Sequence, residues 1–230
     1  MNLADLLMKF VGAPRKHNQS FLADRAQKLV NALVARLPDG VTPAQLTYLG
    51  IAGAGLTAIA LIGCRQTLAW APAIPIGVFI NWLGVSLDGP LARSRNEERP
   101  SFGLLDHSAD LGSQLLIIFA FGLSPFFSLV SASIVLACYL LFSSYTYIRA
   151  AARLPGQMAY IGIGTTEFRI LLALWPLVAI TLGIDERGVN GLTRLDEVMI
   201  ILAALAVGGL MVKILLDARR IAEAKDKPDS

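Results

Sequence analysis

The 230-residue chain is 55% apolar and 16% charged, with 20 Lys and Arg against 17 Asp and Glu and a formal net charge of +3. So low a charged fraction, with a positive mean hydropathy, excludes an ordinary water-soluble domain and points to a polytopic membrane protein. The small basic excess meets no nucleic-acid-binding module, so no nucleic-acid partner is expected and the charge reads as topology and contact with anionic membrane lipids.

In chain order, Met1–Gly12 holds Asp5 and Lys9 without a cleavable apolar core, so the first span is expected to act as the insertion signal. Residues 1–40 read as a cytoplasmic N-terminal segment. In it Ser20 is placed to cap a helix whose Leu22, Ala26, Leu29 and Leu33 recur at helical spacing, with Arg25, Lys28 and Arg36 elsewhere on its surface. Such a helix suits the plane of the cytoplasmic leaflet. Pro38-Asp39-Gly40 then turns the chain.

Six apolar runs follow within 41–217, at Leu46–Gly63, Leu68–Leu87, Leu104–Leu123, Phe126–Ile148, Phe168–Ile184 and Val198–Leu216. Each approaches the roughly 20 residues a helix needs to cross a bilayer. Pro72, Pro75 and Pro176 fall inside the second and fifth runs, which is tolerable where neighbouring helices satisfy the freed carbonyls. Residues 218–230 read as a cytoplasmic tail. Cys64 and Cys138 lie at or within apolar segments and read as small core residues, not a disulfide. Gly50, Gly53, Gly55, Gly208 and Gly209 permit close helix packing, a homodimer included.

Of the 20 Lys and Arg, only Arg65, Arg187 and Arg194 fall in the connections after the first, third and fifth runs. By the positive-inside rule both termini, and the polar residues between the second and third runs, are expected on the cytoplasmic side of a multi-pass protein.

Those polar residues are the chain's main chemical signal. Asp88-Gly89-Pro90-Leu91-Ala92-Arg93 is followed, thirteen positions after the arginine, by Asp106-His107-Ser108-Ala109-Asp110. Acids at the edge of apolar helices are costly, so they pair, bind a cation or line a wet path. Asp106 and Asp110 stand i, i+4 and share a face, whereas His107 points about 100° away from Asp106. Gly89 has no side chain and lets a second helix or a ligand approach.

The pattern resembles the signature of the CDP-alcohol phosphotransferases, D-x-x-D-G-x-x-A-R, eight residues, G-x-x-x-D-x-x-x-D. Asp88, Gly89, Ala92, Arg93, Asp106 and Asp110 fall in register. Val85 stands where the first aspartate belongs, Phe102 where the second glycine belongs with Gly103 one place late, and Pro90 sits inside the motif helix. Thr42-Pro43-Ala44-Gln45 matches a T-P-x-x segment of the family, and Gly164-Thr165-Thr166-Glu167 resembles its G-P-T-E segment.

The resemblance implies an all-α membrane enzyme that transfers a phosphatidyl or phospho-alcohol group from a CDP-linked lipid donor to an alcohol acceptor, with Mg2+ or Mn2+ and release of CMP. It implies Asp88 and Asp106 as metal ligands and Asp110 as ligand, general base or both. Arg93 would hold the diphosphate, beside Gly89 and Ala92, and Thr42, Pro43, Ala44 and Gln45 the nucleotide part of the donor. Arg149, Arg153, Glu167 and Arg169 flank the fourth-to-fifth junction, where they either read a phosphorylated or polyol acceptor or only satisfy topology. The plainer reading makes the acids anchors paired with Arg93, Arg95 and Arg99. Asn81, one turn before Val85, could lend an amide oxygen. Two rival functions use the same residues: a disabled member of the fold, its metal site broken at Val85, and an ion-coupled carrier relaying protons through Asp106 and Asp110.

Overall fold

Prolines and polar caps decide where the apolar runs become helices. The computed structural model describes residues 22–97, 100–151, 165–182 and 193–225, and every regular element among them is helical. These are α1 (Ala23–Val34), α2 (Pro43–Gly63), α3 (Ala73–Ser94), α4 (Pro100–Gly122), α5 (Leu129–Ala151), α6 (Thr165–Leu182) and α7 (Arg194–Lys225). Ser20, Arg99, Arg153 and the side chains of Phe102 and Glu167 lie outside the described residues.

α2 opens with a reciprocal capping box: Gln45 N donates to Thr42 Oγ1 at 3.3 Å and Thr42 N to Gln45 Oε1 at 2.9 Å, with Pro43 in the first turn. The second apolar run was expected to be helical from Leu68. It instead makes a 3-10 turn over Leu68–Trp70, and α3 starts at Ala73. Pro72 caps that start and Pro75 falls in the first turn, where a missing N–H costs no intrahelical bond. α3 continues across Pro90 and closes with Asn96 at φ 55°, where Asn96 N donates to the Arg93 carbonyl and Glu97 N to the Ala92 carbonyl, a Schellman ending.

Among the described residues, four stretches are long and apolar enough to cross a membrane: Pro43–Gly63, Leu68–Ser94, Leu129–Arg149 and Arg194–Arg219. The apolar part of α6, Phe168–Thr181, is shorter. α4 carries Asp106, His107 and Asp110 in its first turns, which interrupts its apolar run.

α2 and α3 form the tightest pair because their backbones touch through glycine. A Cβ on Gly53 would lie 2.3 Å from Asn81 N, and one on Gly84 would lie 2.3 Å from Gly50 N. Gly50 and Gly53 are thus used within the chain, while Gly55, Gly208 and Gly209 have nothing within 4 Å of an added Cβ. Beside this pair, Ala54, Ala58, Leu61, Ile74, Ile117 and Phe121 build the main apolar core. α1 docks at the other end through Val30, which packs with Leu46, Leu87 and Leu91, and with Leu33 and Val34 against that group. Leu29, expected on the apolar stripe, is 49% exposed. The docked face is rotated toward Val30 and Val34 because it meets helix ends. α7 packs chiefly on α5 and exposes Ile201, Leu205 and Leu215.

Candidate functional site

At the end of the bundle where α3 finishes and α4 begins, residues far apart in sequence converge. Asp88 is 1% exposed and lies within hydrogen-bonding reach of Asp106. Its Oδ2 accepts from Thr47 Oγ1 at 2.8 Å, and its Oδ1 from the Gly89 backbone N at 2.7 Å. Each oxygen of Asp88 is therefore oriented by one donor. Asp106 has the charges of Arg93, His107 and Asp110 around it. Two carboxylates in contact repel unless a proton or a cation lies between them.

Gly89 leaves room beside Asp106 and Arg93. A Cβ there would come 3.5 Å from Arg93 Nη1 and 3.8 Å from Asp106 Oδ2, so the bare Cα faces both the guanidinium and the carboxylate. Arg93 itself is exposed, whereas Ala92 is buried and lets the last turn of α3 pack closely.

Asp110 faces a different partner. Its Oδ1 accepts from Arg169 Nη2 of α6 at 2.5 Å, and the Gln114 amide, turned oxygen toward the guanidinium, accepts from Arg169 Nε and Nη2 at 3.0 Å. Among the described residues, no three of His, Cys, Asp and Glu gather as a cation-binding group. The donor set still fits a hard divalent cation: two adjoining carboxylate groups supply oxygens, and a third carboxylate stands one helical turn along on the same face.

The remaining candidate residues divide. Thr42 and Gln45 spend their polar groups on the capping box, and Pro43 is buried. The loop before them is clamped by Arg95, which donates to the carbonyls of Pro38 at 3.0 Å, Asp39 at 3.2 Å and Val41. This clamp draws the start of α2 to the end of α3, beside Arg93. Val85 faces α2, its Cγ2 lying 3.1 Å from where a Gly50 Cβ would stand. Asn81 donates Nδ2 to the Gly50 carbonyl at 2.9 Å, and its Oδ1 is buried without a partner. The His107 ring meets Tyr147 edge to face.

Arg149 and Arg169, read together at the fourth-to-fifth junction, have separate partners. Arg149 pairs with Asp217 of α7, which also accepts from Tyr145 Oη at 2.5 Å and Lys213 Nζ at 3.3 Å. Sequence reasoning missed this group, although a lysine and an aspartate i, i+4 at the end of the last apolar run were its signal. It also missed Thr47 and Gln114. Gln114 continues the Asp106, Asp110 face by one more turn.

A comparison with models of known protein families finds none that matches this chain, and a comparison with curated proteins finds no match either.

Proposed function

We propose that this protein is a multi-pass membrane phosphotransferase of the CDP-alcohol type, with α2 to α7 as its six spans and the Asp88–Asp106 end on the cytoplasmic side. α1 would lie at that surface, tethered through Val30. The placement of Lys and Arg supports the orientation, since Arg93, Arg95, Arg149, Arg169 and Lys213 share the end that holds the acids, while Arg65 and Arg194 belong to the other.

The observation that carries the reading is the meeting of Asp88, Asp106 and Arg93 around the bare Cα of Gly89. Asp88 and Asp106 would hold Mg2+ or Mn2+, which when bound neutralises diphosphate charge and stabilises the departing CMP. Arg93 offers a planar, permanently charged fork for the same diphosphate. Thr47 and the Gly89 amide keep the Asp88 oxygens aimed. Asp110 would take the proton of the acceptor hydroxyl as its oxygen bonds to the phosphorus that carries the lipid, and the bond from that phosphorus to the CMP oxygen breaks. The acceptor alcohol would enter from the side of α6, where Arg169 stands.

The pairing of Asp110 with Arg169 and the apolar side chain at Val85 favour a second reading, a chain of this fold that binds the donor without turning it over. Purified protein in nanodiscs, given CDP-diacylglycerol, Mn2+ and a panel of alcohols, separates the two. CMP release supports the enzyme, and saturable donor binding without CMP supports the second reading. Neither binding nor release, with ion-driven flux in liposomes instead, returns the carrier.

A further inference from the structure

Arg169 is 5% exposed and sits on two acceptors of α4, Asp110 and Gln114, although it belongs to α6. Phe168 beside it stacks on Tyr139 of α5, so this turn of α6 is packed from a second side. Asp110 shares a helix face with Asp106, and its charge is felt there. The carboxylate that would complete a three-acid cation site is therefore engaged by a guanidinium.

We propose that Arg169 and a divalent cation compete for Asp110, the arginine withholding this carboxylate from the Asp88–Asp106 pair until the cation arrives. The inference rests on the cation site proposed above, with Asp110 serving as both third ligand and general base. Charge balance is the reason. Asp88, Asp106 and Asp110 face Arg93 and Arg169, so the ionised site carries one net negative charge before a ligand enters. A divalent cation reverses that sign, and it and the buried Arg169 guanidinium then share one partly exposed carboxylate, where the two cations repel. The guanidinium yields because it keeps a second acceptor in Gln114. Arg169 is thus a positioning residue acting through Asp110.

The test is Mn2+ binding, read by electron paramagnetic resonance, on the full chain in nanodiscs without substrate. R169Q should bind Mn2+ roughly five- to tenfold more tightly than the parent, the span of an ordinary coupling between two ligands of one group. In a D110N background the same change should make no difference, because the competition passes through that carboxylate. Should R169Q fail to fold, Arg169→Met keeps the apolar stem and repeats the comparison. Equal affinity in parent and variant, or the same gain in the D110N background, overturns the competition and leaves the cation site standing. Absence of Mn2+ binding in the parent and in both Arg169 variants overturns the cation site itself.

Discussion

Thr47 of α2 donates its hydroxyl to Asp88 Oδ2 of α3 at 2.8 Å, and the same hydroxyl lies 3.3 Å from the Pro43 carbonyl one turn earlier in its own helix. The bond joins the start of α2 to the buried carboxylate of the candidate site. It also aims that carboxylate, since the other oxygen is held by the Gly89 amide.

Thr47→Val keeps the shape and removes only the hydroxyl. Partners that orient a metal-ligating carboxylate typically contribute about 10- to 100-fold to affinity or activity. The variant is expected to fold normally and to lose roughly tenfold in Mn2+ affinity and in CMP release. Unchanged Mn2+ binding would place Asp88 outside the cation site.

The glycine contacts of α2 and α3 give a contrast within one helix. Gly53→Ala must push a methyl to 2.3 Å from the Asn81 backbone N, and backbone in a packed pair has no easy way to yield. A loss of about 3 kcal/mol or more is expected, at or beyond the usual upper end for overpacking. Gly55→Ala, with nothing within 4 Å, should be neutral or gain up to about 1 kcal/mol from helix propensity. Thermal unfolding of both variants in the same detergent checks the pair; equal midpoints would contradict the α2–α3 packing.

Much of this architecture was readable because hydrocarbon length and helix caps are local properties. The runs from Leu46, Leu104 and Val198 fall in α2, α4 and α7, which begin three or four residues earlier, as at the Thr42 cap of α2, while α7 continues to Lys225. The run from Leu68 was read as one helix because its apolarity hides the break that Pro72 imposes. In the site, Asp88 and Asp106 could be paired beforehand because a short connection and a motif join them. Arg169 with Asp110, 59 positions apart, and Arg149 with Asp217, 68 apart, could not, since nothing local says which cation meets which acid. Val85 likewise gives no local sign of facing Gly50.

The missed group on α5 and α7 carries its own prediction. Asp217 accepts from Tyr145 and Lys213 and pairs with Arg149, and all four residues are buried. Asp217→Asn removes the carboxylate that two cations share while keeping its size. Loss of one partner from a buried ion pair typically costs about 3–5 kcal/mol, so the unfolding midpoint should fall markedly. Mn2+ affinity should not change, because this group is separate from the Asp88–Asp106 pair. A fall in Mn2+ affinity with intact stability would instead make Asp217 part of the site.

Val85→Asp restores the carboxylate that the resembled signature carries one turn before Asp88. Positions 85, 88 and 92 share a helical face, and the Val85 side chain faces Gly50 of α2, so a similarly sized aspartate would point between α2 and α3 instead of outward to lipid. A carboxylate there stands on the same face as Asp88 and adds one hard oxygen donor to a site built from such donors. The expected result is Mn2+ binding tightened by roughly tenfold, equivalent to about 1.4 kcal/mol. A parallel rise in CMP release would mark the parent as a weakened enzyme, while tighter binding without CMP would mark a chain disabled at further positions such as Phe102 or Pro90. Loss of stability with no change in Mn2+ response would remove position 85 from the site, and the comparison is made by titrating Mn2+ into parent and variant while following both CMP release and thermal stabilisation.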